Sequence, residues 1–331
     1  MRKCLNALMP IFDCLKPIDF LSKLYQNSHC QVVDAGARGG FRLLPALHEF
    51  IDVHLIEPDP QAAAELHKPE QAGFRKSHIY QLALAAKTGK AKLHLTDHPS
   101  MNSLLEPDQD GFNRSFGAMK NAGDWSSATD VTGTMDVQTL TLSDFMDQAN
   151  VGFIDFLKLD TQGNELDILK SAEAILANGG AGVICTEVSY FPVYKKQSYF
   201  SEIDIFLRGI GFRLVECRSY PDVVNREDEF SVGSKLYERP KQAPSGDAWY
   251  VFNWQNTDTS NSDQRIRSAA VLACEGYFSE AKYLLEGILN AEGQNELFKY
   301  LSAPTRESGA KHLLRRWTPL AVQQWRAKRK R

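Results

Sequence analysis

The chain predicts an α/β protein built on a mostly parallel sheet, and three observations carry that expectation. Short apolar runs alternate with helical periodicity from about residue 31 to residue 253, with short connections between them. The first run, Gln31-Val-Val-Asp34, stops at an acid and turns through Gly36, Gly39 and Gly40, which reads as a strand, a tight turn and a helix. The second, Val53-His-Leu-Ile-Glu57, ends on an acid about twenty residues later, where a carboxylate can accept hydrogen bonds from both hydroxyls of an adenosine ribose.

Taken in order, strand 31–35 leads through the glycine turn to a helix at 41–50, then strand 53–57 and helix 60–67. Strand 78–83 follows, and Lys87-Thr-Gly-Lys90 reads as a turn into a further strand, Ala91–Thr96. The segment from about Asp97 to Gly133 is rich in Gly, Ser, Asn and Asp, and a connection this long in a compact domain serves as a lid or substrate loop. Helix 141–149, strand 154–160 and helix 165–177 come next, with Glu165 in a helical first turn, where the positive dipole end stabilises an acid. Strand 182–188, helix 199–210 and strands 212–217 and 248–253 complete the pattern.

Composition sets bounds on function. With 331 residues, 43% hydrophobic and 24% charged, the chain can bury a full core and carry an appendage. A net charge of −3 gives no global reason to expect nucleic acid as partner. Six cysteines (Cys4, Cys14, Cys30, Cys185, Cys217 and Cys274) are scattered without C-x-x-C pairs, so reduced thiols, a cytoplasmic location and no zinc site are expected. The start, Met1-Arg-Lys-Cys-Leu-Asn-Ala-Leu-Met-Pro10, is interrupted by Pro10, Asp13 and Lys16 too soon for a secretory signal or a spanning helix. The expected organisation is a helical cap over 1–29, a catalytic domain over 30–258 and a helical extension over 259–331.

Spacing narrows the nucleotide. A dinucleotide fingerprint needs G-x-G-x-x-G, but from Gly36 the later positions hold Arg38 and Phe41, and no Walker run G-x-x-x-x-G-K-[ST] occurs anywhere. What survives, acidic-x-Gly-x-x-x-Gly followed by a glutamate ending the next strand, resembles motif I and the ribose acid of class I S-adenosylmethionine methyltransferases. Further along, the segment from Ile154 to Ala172, with Asp155, Lys158, Asp160, Gly163, Glu165 and Leu169, resembles the hallmark of the FkbM methyltransferases, I-D-x-x-K-x-D-x-E-G-x-E-x-x-x-L-x-G-A. Ile56-Glu-Pro-Asp59, Ser100-Met-Asn-Ser-Leu104, Glu187-Val-Ser-Tyr-Phe-Pro-Val-Tyr194 with Phe206–Phe212, and Gly246–Phe252 fall in the order of that family, so the resemblance spans about residues 30 to 253. Arg38, Gln162 and Ser171 depart from it, standing where the family usually has Asn, Glu and Gly. The resemblance implies a Rossmann-like sheet of order 3-2-1-4-5-7-6 with its last strand antiparallel, and S-adenosylmethionine as cofactor.

In such a sheet ligands sit beyond the carboxyl ends of the strands near the switch point, which gathers the candidate residues. Asp34, Gly36, Ala37, Arg38 and Gly40 would form the cofactor turn, with Asp34 ordering it and facing the cofactor's amino end, Glu57 would hold the ribose, and Leu82 and Ala83 would flank the adenine. Asp160 and Glu187 end neighbouring central strands and would face the transferred methyl, where a carboxylate can take the proton of a hydroxyl acceptor. Each has a structural alternative, a cap for Asp160 and a partner to a buried cation for Glu187. Together they also allow a shared Mg²⁺. His98 on the long loop is a candidate base from outside the sheet, and Tyr190, Phe191 and Tyr194 either stack on a sugar ring or pack.

The expected activity is O-methylation of a hydroxyl on a sugar or glycoconjugate, the substrate class being what the resemblance implies. Alternatives are the same chemistry on a small secondary metabolite, and a catalytically silent scaffold that binds a partner or membrane. Beyond Ser262 the residues Arg265–Asn290 have the spacing of two short helices broken at Glu275-Gly276, with Ala269, Ala270, Ala273 and Ala281 where helices approach closely. Lys311, Arg315, Arg316, Arg326, Lys328, Arg329, Lys330 and Arg331, interleaved with Trp317 and Trp325, read either as a solvated tail or as an interfacial helix on anionic lipid through 311–331.

Overall fold

The computed structural model describes residues 17–67, 73–111, 127–219, 245–254 and 262–302. A first helix, α1 (Pro17–Leu24), precedes β1 (Cys30–Ala35), β2 (Ile51–Ile56), α2 (Pro60–Glu65) and β3 (Lys76–Tyr80). The chain then leaves the main sheet for β4 (Ala83–Leu84), β5 (Gly89–Thr96) and β6 (Val131–Leu140). It returns through α3 (Leu142–Gln148), β7 (Ile154–Leu159), α4 (Glu165–Lys170), α5 (Glu173–Ala177), β8 (Ala181–Ser189), α6 (Phe200–Gly209), β9 (Phe212–Ser219) and β10 (Ser245–Phe252). Three helices follow, α7 (Ser262–Cys274), α8 (Phe278–Leu285) and α9 (Ala291–Ser302).

The main sheet runs β3-β2-β1-β7-β8-β10-β9, which, counting its seven strands alone, is the order 3-2-1-4-5-7-6. β10 is antiparallel to both neighbours while β1, β2, β3, β7 and β8 pair in parallel. The central strands are apolar on both faces, as sheets covered on two sides require: Val32, Val33, Phe156, Leu157 and Ile184 are all fully buried. A second sheet, β4-β6-β5, branches from the end of β3.

Four expectations need correction. No helix follows the glycine turn: Phe41–Leu44 is irregular, and only a short 3₁₀ turn, Pro45–Phe50, precedes β2. Pro45 disfavours helical backbone at the residue before it, and Leu44 sits instead at φ 55° with its N–H donating to Glu275 at 2.9 Å. The strand placed at 78–83 is two strands in different sheets, β3 and β4. The helix placed at 165–177 breaks between α4 and α5, where the Ser171 hydroxyl donates to the Ile168 carbonyl at 2.6 Å and accepts the Leu142 N–H at 2.9 Å. The end of the long loop is β6, antiparallel to β5; residues 112–126 of that loop lie outside the described ones.

The helices past Ser262 join the core that the sheet builds. Ala269, Ala270, Ala273 and Ala281 are fully buried, and α7 lies on β7 and β8 so closely that a Cβ on Gly182 would meet the Ser268 hydroxyl at 2.4 Å. Arg267 fixes the docking: its Nε and Nη2 each donate to an oxygen of the fully buried Asp155 at 2.6 Å, and it also donates to Ser28 and the His29 carbonyl at 2.9 Å. Asp155 accepts the Gln31 N–H at 2.7 Å as well, so one carboxylate ties β1, β7 and α7 together. Among the described residues no helix is long and apolar enough to cross a membrane, and 311–331 lie outside them.

Candidate active site

A cavity of about 430 Å³ opens at the carboxyl ends of β1, β2, β7 and β8, the point where the strand order reverses, within the range of small-molecule sites. Gly36, Arg38, Glu57, Ala83, Asp160 and Glu187 line it, and Ser100–Leu104 with Tyr194 close its other side.

The glycine turn works differently from the expectation. Gly36 sits at φ 81°, and a Cβ there would stand 1.8 Å from the Asp160 carbonyl oxygen, so the close approach that demands glycine is between β1 and β7. The amides of Gly36 and Ala37 both donate to the Ile56 carbonyl, at 3.0 and 3.1 Å, and are spent within the fold. Ala37 and Gly40 do not line the cavity. Neither does Leu82; Leu84 takes its place beside Ala83, because the chain has turned into β4 there.

Asp34 is buried beneath the turn rather than facing the cavity, opposite Lys158 in the β1–β7 register. Lys158 Nζ lies 3.2 Å from Asp34 Oδ1 and 3.4 Å from Asp160 Oδ2. Burial alone would pull the Lys158 ammonium down, but Asp34 and Asp160 beside it hold it above its ordinary value and therefore charged. Sequence reasoning passed over Lys158 as a site residue, although its position two before Asp160 on one strand was visible in the motif.

At the β2 end, Glu57 is buried and accepts the Asp59 N–H at 2.9 Å. Arg38 donates to Asp59 Oδ2 at 2.5 Å and stands 3.9 Å from Glu57 Oε1, so this departure from the family pattern faces the β2 acids. Burial raises the Glu57 carboxyl, opposed by the Asp59 N–H and the Arg38 charge. A buried acid lining the cavity at the end of β2 fits a ribose, whose two hydroxyls would donate to it.

At the β7–β8 end, Gln162 connects both candidate catalytic acids. Its Nε2 donates to Asp160 Oδ1 at 3.0 Å and to Glu187 Oε2 at 2.9 Å, while the Tyr194 hydroxyl lies 3.0 Å from its Oε1. Burial, with Asp160, Glu165 and Asp247 nearby, raises the Glu187 carboxyl well above the ordinary range, and Lys158 offsets part of this. The shared Mg²⁺ does not fit: an amide NH₂ occupies the space between the two carboxylates with its donors aimed at both. Among the described residues no group of three or more His, Cys, Asp or Glu could hold a metal. Glu165 is structural, accepting the Thr161 and Gly163 amides at 2.7 and 3.0 Å and so stapling the turn before its own helix.

His98 is not brought to the site. It is exposed on the loop, its Nδ1 bonded to Ser100 Oγ at 2.6 Å, and of these two residues Ser100 alone lines the cavity. Tyr190 bonds Cys217 and Ser219 away from the cavity, whereas the buried Tyr194 lines it.

Residues 34–214 match the family described as methyltransferase FkbM domain. No curated protein matches the chain. Among solved structures it is similar to a TehB-like SAM-dependent methyltransferase from Corynebacterium glutamicum ATCC 13032 Kitasato, at 13% identity over 70% of this chain and 86% of that one; with a TM-score of 0.30 the likeness carries no argument.

Proposed function

The chain belongs to the FkbM methyltransferase family, and on that premise we propose that it transfers the methyl of S-adenosylmethionine to a hydroxyl of a sugar or glycoconjugate. The observation that supports this reading most is that Glu57, after β2, and the pair Asp160 and Glu187, at β7 and β8, line one cavity. S-adenosylmethionine, when bound, supplies a sulfonium-activated methyl that an in-line nucleophile displaces. Glu57 would accept the ribose hydroxyls and fix where the donor lies. Glu187, or Asp160 beside it, would in its ionised form accept the proton of the acceptor hydroxyl; both line the cavity, Glu187 the more buried of the two.

The test is transfer of tritiated methyl into cell extract sorted into lipid, polysaccharide and small-molecule fractions. Label in polysaccharide or glycolipid supports the reading, and label confined to small molecules redirects it to a secondary metabolite. Cofactor binding by calorimetry without any transfer would leave only a binding scaffold.

A further inference from the structure

We propose that Gln162 is a positioning residue whose side-chain amide holds the Asp160 and Glu187 carboxylates side by side without a cation and ties both to the wall of the cavity that the acceptor must pass. Three observations meet at this residue. Its Nε2 bridges the two acids at 3.0 and 2.9 Å. Its backbone is left-handed, φ 59°, a conformation that a non-glycine residue keeps only where its surroundings enforce it. Two further polar atoms are engaged by the opposite wall: Oε1 lies 3.0 Å from the Tyr194 hydroxyl, and the backbone carbonyl accepts from Ser103 Oγ at 2.7 Å.

Two carboxylates this close repel, and a proton, a cation or a shared donor must intervene. Here the shared donor is an amide, which carries no charge and cannot titrate, so it orients Glu187 while leaving it free to gain and lose a proton. The two acids fix which way the amide points, because an oxygen facing them would be repelled; the Tyr194 hydroxyl, whose one proton is shared with the Met101 carbonyl at 2.8 Å, lies against the amide oxygen on the other side. Among the described residues, the charged and titratable groups around Glu187 are Lys158 on β7, Asp160 just after it, Glu165 on α4, Asp247 on β10 and Tyr194 after β8. Gln162 adds an uncharged group to these, and its donors favour the ionised form of the carboxylate they reach.

The inference rests on the proposed reading of Glu187 as proton acceptor, so the test uses a readout that does not need turnover. Full-length protein labelled with ¹³C at glutamate carboxyls reports the titration of Glu187, assigned by the signal missing in Glu187→Gln. Gln162→Met, which keeps the side-chain length and removes the donors, should move that titration upward by about one pH unit, the scale of one hydrogen bond to a charged group. Gln162→Glu, which replaces a donor with a third carboxylate, should move it further. S-adenosylmethionine affinity by calorimetry should change less than about threefold in both, since Glu57 follows β2, two strands from β7 in the sheet. Should Gln162→Met not fold, Tyr194→Phe decides by the same signal, with a smaller upward shift expected. A Glu187 titration unmoved in the folded variants overturns the positioning role. If the titration moves but wild-type protein methylates no hydroxyl acceptor, the positioning role stands and the proposed reaction falls.

Discussion

At Glu57 the carboxylate already receives backbone N–H donors, the Asp59 amide among them, and a ribose would add to its partners. Glu57→Ala should weaken S-adenosylmethionine binding by about 1–3 kcal/mol, the loss of hydrogen bonds to a charged acceptor, measured by calorimetry. An unchanged affinity would remove Glu57 from the cofactor site. Glu187 carries a pH prediction. Its carboxyl is raised by burial and by the acids around it, so a base at this position stays protonated, and therefore blocked, up to a pH above the ordinary carboxylate range. The acid limb of kcat/KM should accordingly lie above that range, activity rising as pH increases through it. Glu187→Gln should erase the limb and lower turnover about a hundredfold, the contribution expected of a general base. A limb that persists in the variant assigns the base elsewhere, Asp160 first. The acids themselves were legible in the sequence, because each ends an apolar run. Their partners were not: Lys158 meets Asp34 only through the register of two parallel strands separated by more than a hundred residues of chain, and Gln162 meets Glu187 only because β7 and β8 are paired neighbours.

Among elements, the central strands β1, β2, β7 and β8 were readable because both faces are buried and the runs are largely apolar. β6 was not, since its burial falls on alternate residues near one end and its neighbours are polar loop. The missing helix after the glycine turn has a structural counterpart in α7, which lies on β7 and β8 and touches the 3₁₀ turn before β2. Arg267 should carry much of that docking. Arg267→Met strands the Asp155 carboxylate in the core and should cost about 3–5 kcal/mol, read as a shift of the chemical denaturation midpoint. Adding Asp155→Leu should recover part of it, and only part, because the Gln31 N–H then loses its acceptor. A single variant as stable as wild type would mean that α7 is held by its apolar contacts alone.

For the whole molecule, the basic residues of 311–331 bear on where the acceptor lives. If they dock on a membrane, each Lys or Arg near an anionic surface contributes about 1 kcal/mol, so full-length protein should co-sediment with anionic vesicles at low salt and release as salt rises. A chain ending at Gly309 should stay in the supernatant. Equal behaviour of the two chains would favour a soluble acceptor. The pairing of Asp155 with Arg267 also has a temporal meaning. The two are separated by 112 positions, and everything between them, including both acids of the β7–β8 end of the cavity, leaves the ribosome before the arginine does. A nascent chain thus carries a buried-type carboxylate and an uncovered sheet face until its last helices emerge, and synthesis from the N-terminus cannot finish this core early. Chains stalled with Arg267 still inside the exit tunnel should be cut throughout 30–258 by a protease that spares the released protein. Equal resistance at that stall point would show that the sheet closes without α7, and would make that helix a late addition instead of the condition for a finished cavity.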